Sequence, residues 1–551
     1  MRKNNSVTRT GGSVLAECLA SHKARHVFIV PGESFLGALD AFSKKKKDIK
    51  IINARHEAGA SNMAEAYGKL TGEPGIAYVT RGPGACHASV GVHIAFQDST
   101  PMILLVGDIS RNLRDREAFQ EVDFKSFFGP ISKWVAEIND PDRVPEYINR
   151  AFSLATSGRP GPVVLVTPED MLTQATKASV RSFNPVIQSE MPQKGLDAFK
   201  RKFKKSKKPL FIIGGSGWTD RSCDNFYNFV NENCLPVTTS FRRQDLFDHK
   251  DKNYVGSFGT SVSPELIASV AESDLIVVLG ARLGEMTTNG YTTLSPQKHG
   301  MDMIHIHVDP SELNKVYNAD LCVNIGVEEC CDKIKDIKLE NSIRWQKWRN
   351  ALRRNYEKDI KPSENKTLNN LGKIFEIVEE NLPKKSIVTL DAGNNAAWPQ
   401  RFLRYGRNRR QIATTCGSMG YAIPAAVSSA LLNPEKTVLC CVGDGGFMMS
   451  SQEISTAVHH GVKLIILLIN NSSYGTIRMH QEREYPGQKI ATDLKNPDFV
   501  KLCKAMGADA YRVARVEDFS LFFSKALKSK KVNVIEIPIS INQLSHRYNL
   551  K

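Results

Sequence analysis

Strand-length apolar runs alternate with helical stretches along most of the chain and fall into three blocks. The first block carries His26–Val30, Ile49–Asn53, Ile76–Thr80, Met102–Val106 and Val163–Val166. The second carries Leu210–Ile213, Asp274–Leu279 and Ile304–Val308; the third carries Ile387–Leu390, Thr437–Val442, Lys463–Ile469 and Val532–Ile537. Continuous apolar strands separated by helices predict parallel sheets buried on both faces, because each crossover lays a helix on the sheet. A basic stretch from Lys177 to Lys208 separates the first two blocks. A charged stretch from Glu340 to Lys366, with Trp345, Trp348 and Pro362, follows the second and predicts a helix and then a connector. The fold expected is α/β, with three doubly wound parallel-sheet domains at residues 1–175, 190–340 and 365–551.

Composition narrows the class. The 551 residues, 41% hydrophobic and 24% charged, match ordinary globular proteins and exclude a disordered or fibrous chain. The longest apolar run, Leu464–Ile469, is far below the roughly 18 residues of a membrane span, so no membrane partner is expected. Met1–Gly12 is basic but lacks an apolar segment, so no secretory signal is expected. Basic residues outnumber acidic ones by 74 to 58, yet the excess sits in short runs, Lys44–Lys47, Lys202–Lys208 and Lys528–Lys531. Phe203 is the only aromatic within them, too little interleaving for nucleic acid; solvated surface is the reading. The eleven cysteines contain no C-x-x-C pair, which points to a reduced, cytoplasmic chain.

The strongest chemical signal lies in the third block. The strand Thr437–Val442 runs into Gly443-Asp444-Gly445-Gly446. Ser450 and Glu453 have capping-box spacing, which predicts a helix starting there, running through Ala457 and stopping at Gly461. The next strand, Lys463–Ile469, ends in Asn470-Asn471. Two parallel strands thus deliver Asp444 and Asn471 at their carboxyl ends, the rim where open α/β sheets bind ligands. A carboxylate, an amide oxygen and a backbone carbonyl suit Mg²⁺, whose remaining ligands are water and phosphate. Glycines let the backbone approach a phosphate. Alone, Gly-Asp-Gly favours a tight strand–helix turn; the paired asparagines on the next strand favour the site.

Gly443-Asp444-Gly445, 24 intervening residues and Asn470-Asn471 resemble the signature of thiamine diphosphate (ThDP) enzymes. The resemblance implies Asp444, Asn471 and the Ser473 carbonyl as Mg²⁺ ligands, with Gly443, Gly445 and Gly446 against the cofactor. Arg55-His56-Glu57-Ala58-Gly59-Ala60 resembles the family's glutamate motif. Glu57 would then bond the pyrimidine N1′ and favour the imino tautomer that deprotonates the thiazolium. Gly417-Ser418-Met419-Gly420-Tyr421 resembles the segment that bends the cofactor, with Met419 beneath it and the Gly417 and Met419 backbone holding the aminopyrimidine. Gly393 and Asn394, after another strand end, are further candidates for the diphosphate.

Within that superfamily the chain most resembles the large subunit of acetohydroxyacid (acetolactate) synthase. The supporting stretches are Arg81-Gly82-Pro83-Gly84-Ala85, Ala118-Phe119-Gln120-Glu121, Gly158-Arg159-Pro160-Gly161-Pro162-Val163 and Asn496-Pro497-Asp498-Phe499. The resemblance places Gln120 at the reaction centre. It implies a 2-keto acid substrate, a homodimer or tetramer with active sites between chains, and leaves a regulatory subunit open. Gly280-Ala281-Arg282 and His305-Ile306-His307-Val308-Asp309 resemble contacts to FAD, in a domain that in relatives holds FAD, ADP or nothing.

The departures bear on specificity. Residue 58 is Ala where that family usually has Gln, His87 replaces Asn, and Glu169 replaces Lys. Met479-His480-Gln481 replaces a Gln-Trp-Gln segment that shapes the acceptor pocket. Glu33 and His87 add ionisable groups, candidates for proton delivery. The expected reaction is decarboxylation of pyruvate and addition of the resulting enamine to a second keto acid. Simple decarboxylation or another carboligation is the alternative, and a non-catalytic ThDP-fold scaffold is a reading from a different class.

Overall fold

The computed structural model describes residues 9–180, 186–260, 262–296, 300–361, 369–543 and 545–547. Pro362 and the connector after the charged helix lie outside the described residues, as does most of the basic start. Three six-stranded, all-parallel sheets carry the chain.

The first sheet consists of β1 (His26–Ile29), β2 (Lys50–Asn53), β3 (Gly75–Val79), β4 (Met102–Asp108), β5 (Trp134–Glu137) and β6 (Pro162–Pro168), in the order 2-1-3-4-6-5. The second consists of β7 (Pro209–Ile213), β8 (Val237–Thr239), β9 (Tyr254–Ser257), β10 (Leu275–Leu279), β11 (Asp302–His307) and β12 (Leu321–Asn324), in the order 12-11-10-7-8-9. Counted within itself and from the other edge, that is 3-2-1-4-5-6, the arrangement of dinucleotide-binding folds. The third consists of β13 (Ser386–Leu390), β14 (Arg409–Ala413), β15 (Thr437–Gly443), β16 (Leu464–Asn470), β17 (Asp509–Arg512) and β18 (Val532–Pro538), in the order 14-13-15-16-18-17. Its order repeats that of the first sheet strand for strand.

Burial follows from this topology. The central strands β3, β4, β6, β10 and β13 are buried at every position, as strands covered on both faces must be. Edge strands β5, β12 and β17 are mostly half-buried.

Two compact units result. One comprises residues 1–186 together with 423–433 and 450–462, so the first sheet recruits two helical segments from the third block. The other comprises residues 187–422, 434–449 and 463–551 and contains the second and third sheets. The charged stretch after the second sheet forms the helix Gln346–Asp359, with Trp345 fully buried just before it.

One local expectation is corrected. The helix after β15 begins at Asp444, not at Ser450; it runs Asp444–Ser450 and is followed by a second helix, Glu453–His459. Ser450 and Glu453 form no capping box. The Ser450 hydroxyl has no hydrogen-bond partner, and Glu453 accepts from backbone far away in sequence. Gly461, with φ of +63°, does mark the end of that helix. Among the described residues no helix is long and apolar enough to cross a membrane.

Candidate active site

In the first unit the chain leaves β2 and enters the helix Glu57–Thr71 through His56. The extended backbone of His56 brings its own Nδ1 to accept the Ala58 N–H at 3.1 Å, an N-cap made by a ring nitrogen. Glu57 is the first helical residue. Its Oε2 lies 3.0 Å from Nδ1 of His87, on the helix Gly82–Asp98. The His56 and His87 rings stack with centroids 4.5 Å apart. The trio is compact enough to suggest a metal, with potential ligand atoms within 4.8 Å of one another. The cap argues otherwise: with Nδ1 accepting, neutral His56 keeps its proton on Nε2 and offers no free lone pair. A Cβ at Gly84 would meet Thr80 at 2.8 Å and Glu57 Oε1 at 3.5 Å, so glycine leaves room beside the carboxylate.

Gln120 and Glu33 meet through Arg81. The Arg81 Nε donates to Gln120 Oε1 at 3.2 Å, while its terminal nitrogens lie 3.7 Å from Glu33 and 3.8 Å from Glu169. Gln120 sits at φ +66°, and its carbonyl accepts the Gly82 N–H. The Glu33 side chain is largely in solvent, in contrast to Glu57. Of the four predicted catalytic residues, His87 touches Glu57, and Glu33 and Gln120 share Arg81.

Glu453 caps no helix and instead binds the backbone that leads into Glu57. Its buried Oε1 accepts the N–H groups of both Arg55 and His56 at 3.1 Å, and Thr456 Oγ1 donates to Oε2 at 2.6 Å. Burial raises its carboxyl to about 7, against the lowering pull of the Thr456 hydroxyl and those two amides.

In the second unit, β15 ends in Gly443 and Asp444 opens the next helix; β16 ends at Asn470, just before Asn471. Asp444 is almost fully buried, and its Oδ2 accepts from Asn496 Nδ2 at 2.7 Å. Burial raises its carboxyl above the usual range, moderated by Asn496 and by backbone amides that include Ser473. Asn471 Oδ1 accepts the Ser473 N–H at 3.1 Å, folding that loop so that the amide oxygen and the Ser473 backbone belong to one turn. The Asn496 amide also reaches Asn470 Oδ1 at 3.1 Å. Nothing in the residue spacing marked Asn496 as the group that orients Asp444.

Met419 belongs to the same place. A Cβ at Gly445 would lie 3.2 Å from the Met419 methyl and 2.7 Å from the Tyr474 ring, so the methionine rests on the glycine turn. Met419 is 36% exposed, which leaves its side chain free to support a ligand. Gly417 has φ +72°, which glycine adopts without strain. The turn that carries Met419 hangs on Asp391, whose buried carboxylate accepts the N–H groups of Gly420, Ala422 and Ala392. Burial pushes the Asp391 carboxyl up to about 6. A Cβ at Gly446 would approach it to 2.9 Å, so Asp391 braces both the Met419 turn and the glycine turn.

These residues fit ThDP and Mg²⁺. The donors Asp444, Asn471 and Ser473 are all oxygens, the set a hard cation takes. Asn395 supplies an independent sign: its Oδ1 is buried with no hydrogen-bond partner, and its Nδ2 lies 2.5 Å from where a Gly443 Cβ would stand. A buried amide left incomplete at the glycine turn calls for a polar ligand there. Here Asn395, rather than Asn394, faces the turn; Asn394 Nδ2 instead contacts the Met479 sulfur at 3.6 Å. Gly393, at φ +101°, lies beside Thr476. In the segments that resemble FAD contacts, His305 Nε2 pairs with the Ala281 carbonyl and His307 Nδ1 accepts the Asp309 N–H, so both rings bond within the chain. No step is assigned to FAD. His480 lies on the helix Gly475–Glu484, with Nδ1 2.8 Å from Arg483 and 3.5 Å from Glu484.

Three family models match the chain. They are the N-terminal TPP binding domain of thiamine pyrophosphate enzymes at residues 9–127, their central domain at 196–334 and their C-terminal TPP binding domain at 391–537. The acetolactate synthase large subunit of Buchnera aphidicola subsp. Schizaphis graminum is 30% identical, covering 98% of this chain and 96% of that protein. The acetolactate synthase isozyme 3 large subunit of Escherichia coli is 27% identical over 98% of this chain and 96% of its own length. The mitochondrial acetolactate synthase catalytic subunit of Saccharomyces cerevisiae is 27% identical over 96% and 80%. The chain belongs to the thiamine pyrophosphate-dependent enzymes. Within them it is of the acetolactate synthase type.

Proposed function

We propose that this chain is a ThDP- and Mg²⁺-dependent carboligase of 2-keto acids, taking carbon dioxide from pyruvate and joining the remainder to a second keto acid, as in acetolactate. The observation that carries this reading is the joint presence of the Glu57–His87 pair and the Asp444–Asn471–Ser473 oxygen set in a chain related over nearly its whole length to acetolactate synthases. When bound, ThDP supplies the electron sink that stabilises the negative charge left by decarboxylation. Asp444, Asn471 and the Ser473 carbonyl hold Mg²⁺, with Gly443, Gly445 and Gly446 admitting the diphosphate. Gly417 and Met419 support the pyrimidine side, and Gly393, Asn394 and Asn395 flank the diphosphate.

Glu57 holds a proton at its carboxylate, and the His87 Nδ1–H steadies the anion when that proton has left. Gln120, oriented by Arg81, offers its amide to the reacting carbonyl. His480, in place of a tryptophan, makes the acceptor pocket more polar through its pairing with Arg483 and Glu484. The active form is a homodimer or larger, each site drawing on the first domain of one chain and the third of another. A regulatory subunit fits the relatives' description as large subunits.

The test is product analysis after incubation with ThDP, Mg²⁺ and pyruvate. Acetolactate supports the reading; absence of carbon dioxide release overturns the choice of donor. A second reading, release of acetaldehyde with His87 or Glu33 as proton donor, is favoured by the ionisable His87 beside Glu57 and would appear in the same assay.

A further inference from the structure

Glu453 has no part in the chemistry above, yet it is fully buried and saturated with donors. The Arg55 N–H reaches both of its oxygens, at 3.1 and 3.3 Å, and the His56 N–H reaches Oε1 at 3.1 Å. Those amides belong to the two residues immediately before Glu57. Two acceptors therefore govern the entry to the helix Glu57–Thr71: the His56 ring takes the Ala58 N–H, and Glu453 takes the two N–H groups upstream. The other side of the carboxylate is closed by Gly59, where a Cβ would stand 2.6 Å from the Glu453 carboxyl carbon. Backbone thus wraps the carboxylate from residue 55 to residue 59, with Glu57 in the middle of the wrap.

A glutamine would keep one acceptor oxygen but set an NH₂ where Oε2 now takes the Arg55 N–H and the Thr456 hydroxyl, and an aspartate would be one methylene short.

We propose that Glu453 is a positioning residue for Glu57, fixing the backbone of Arg55 and His56 so that the Glu57 carboxylate meets His87 and the pyrimidine in a constant geometry. The inference rests on the reading of Glu57 as the proton-relay carboxylate, and the test separates the two. ThDP-loaded, Mg²⁺-loaded enzyme is quenched at intervals in heavy water, and exchange of the cofactor's C2 proton is followed by NMR, which needs no keto acid. Amide exchange in the peptide spanning Arg55–Glu57 and the ThDP dissociation constant are measured on the same samples.

For Glu453→Gln the expectation is faster amide exchange at Arg55 and His56 and C2 exchange slower by about 10–100-fold, the scale of a displaced catalytic group. ThDP affinity should be unchanged. Wild-type C2 exchange in Glu453→Gln, while Glu57→Gln loses it, overturns the positioning role. Wild-type C2 exchange in Glu57→Gln itself overturns the underlying reading instead. If Glu453→Gln fails to fold, Thr456→Val, which removes one donor from the same carboxylate, is read in its place. Slower C2 exchange there supports the proposal, and an unchanged rate overturns it.

Discussion

The Nδ1 of His87 lies 3.0 Å from Oε2 of Glu57, joining two helices of the first unit. A hydrogen bond to a charged group contributes about 1.5–3 kcal/mol. His87→Phe should therefore slow turnover by about 10–100-fold without weakening ThDP binding. Glu57→Gln should also keep ThDP binding and lose turnover by about 10²–10⁴-fold. Steady-state kinetics beside cofactor titration checks both; a His87 variant with wild-type kcat would assign that histidine a purely structural role.

Asn496 donates to Asp444 Oδ2 and, with Asp444 proposed to hold Mg²⁺, is the partner that orients it. Loss of such outer partners typically costs 10–100-fold in metal affinity, so Asn496→Ala should weaken Mg²⁺ by about that factor. Asp444→Asn should weaken it further. Activity measured against Mg²⁺ concentration reports both, and an Asn496→Ala titration that overlays the wild type would break the link.

The pH dependence of stability has a definite sign. Burial pushes the Glu453 carboxyl up to about 7 in the folded chain, above the ordinary 4.5 of a free glutamate. Between those values the folded state holds a proton that the unfolded state lacks, so stability from this group is fully present below 4.5 and declines as pH rises toward 7. Asp391, raised to about 6 from 3.8, acts in the same direction over a lower window. Glu453→Gln should flatten the fall in Tm between pH 5 and about 7. Thermal scans across that range test it, and a slope as steep as the wild type's would contradict the assignment.

Asp391→Asn keeps the size of the side chain but sets an NH₂ among three backbone donors. Leaving a buried donor or acceptor unsatisfied costs about 1–3 kcal/mol, which chemical denaturation would resolve. Because the same carboxylate holds the Met419 turn, ThDP affinity should fall as well. A variant with lowered stability and intact ThDP affinity would separate the two roles.

Most of the interior of the fold was legible in the sequence and most of its edges were not; the three-residue interior strand β8 (Val237–Thr239) also gave no apolar run. The runs that predicted strands correspond to β1–β4, β6, β7, β10, β11, β13, β15, β16 and β18, which with the exception of the edge strand β2 lie inside their sheets. Five of the six edge strands gave no apolar run: β5, β9, β12, β14 and β17. With one side unpaired they need no continuous apolar sequence, and β14 begins Arg409-Arg410-Gln411 while β17 reads Asp509-Ala510-Tyr511-Arg512. At the site, motif spacing marked the residues that would touch the cofactor. The residues that hold those in place, Asp391, Glu453, Asn496 and Arg81, act on backbone amides or on other side chains. Such partners are chosen by tertiary approach, and spacing along the chain carries no record of it. Glu453 shows the hazard: local spacing offered it Ser450, and the fold gave it Arg55 and His56 instead.

The wrap around Glu453 also sets an order of events during synthesis. The acceptor for the Arg55 amide stands 398 residues further along the chain. At roughly 5–20 residues per second, ribosomes need about 20–80 s to supply it. Until then the first sheet also lacks the helical segments 423–433 and 450–462 that complete its unit. The nascent glutamate motif must wait for most of the protein to be made, and a fragment ending near residue 186 would carry Glu57 without the group that seats it.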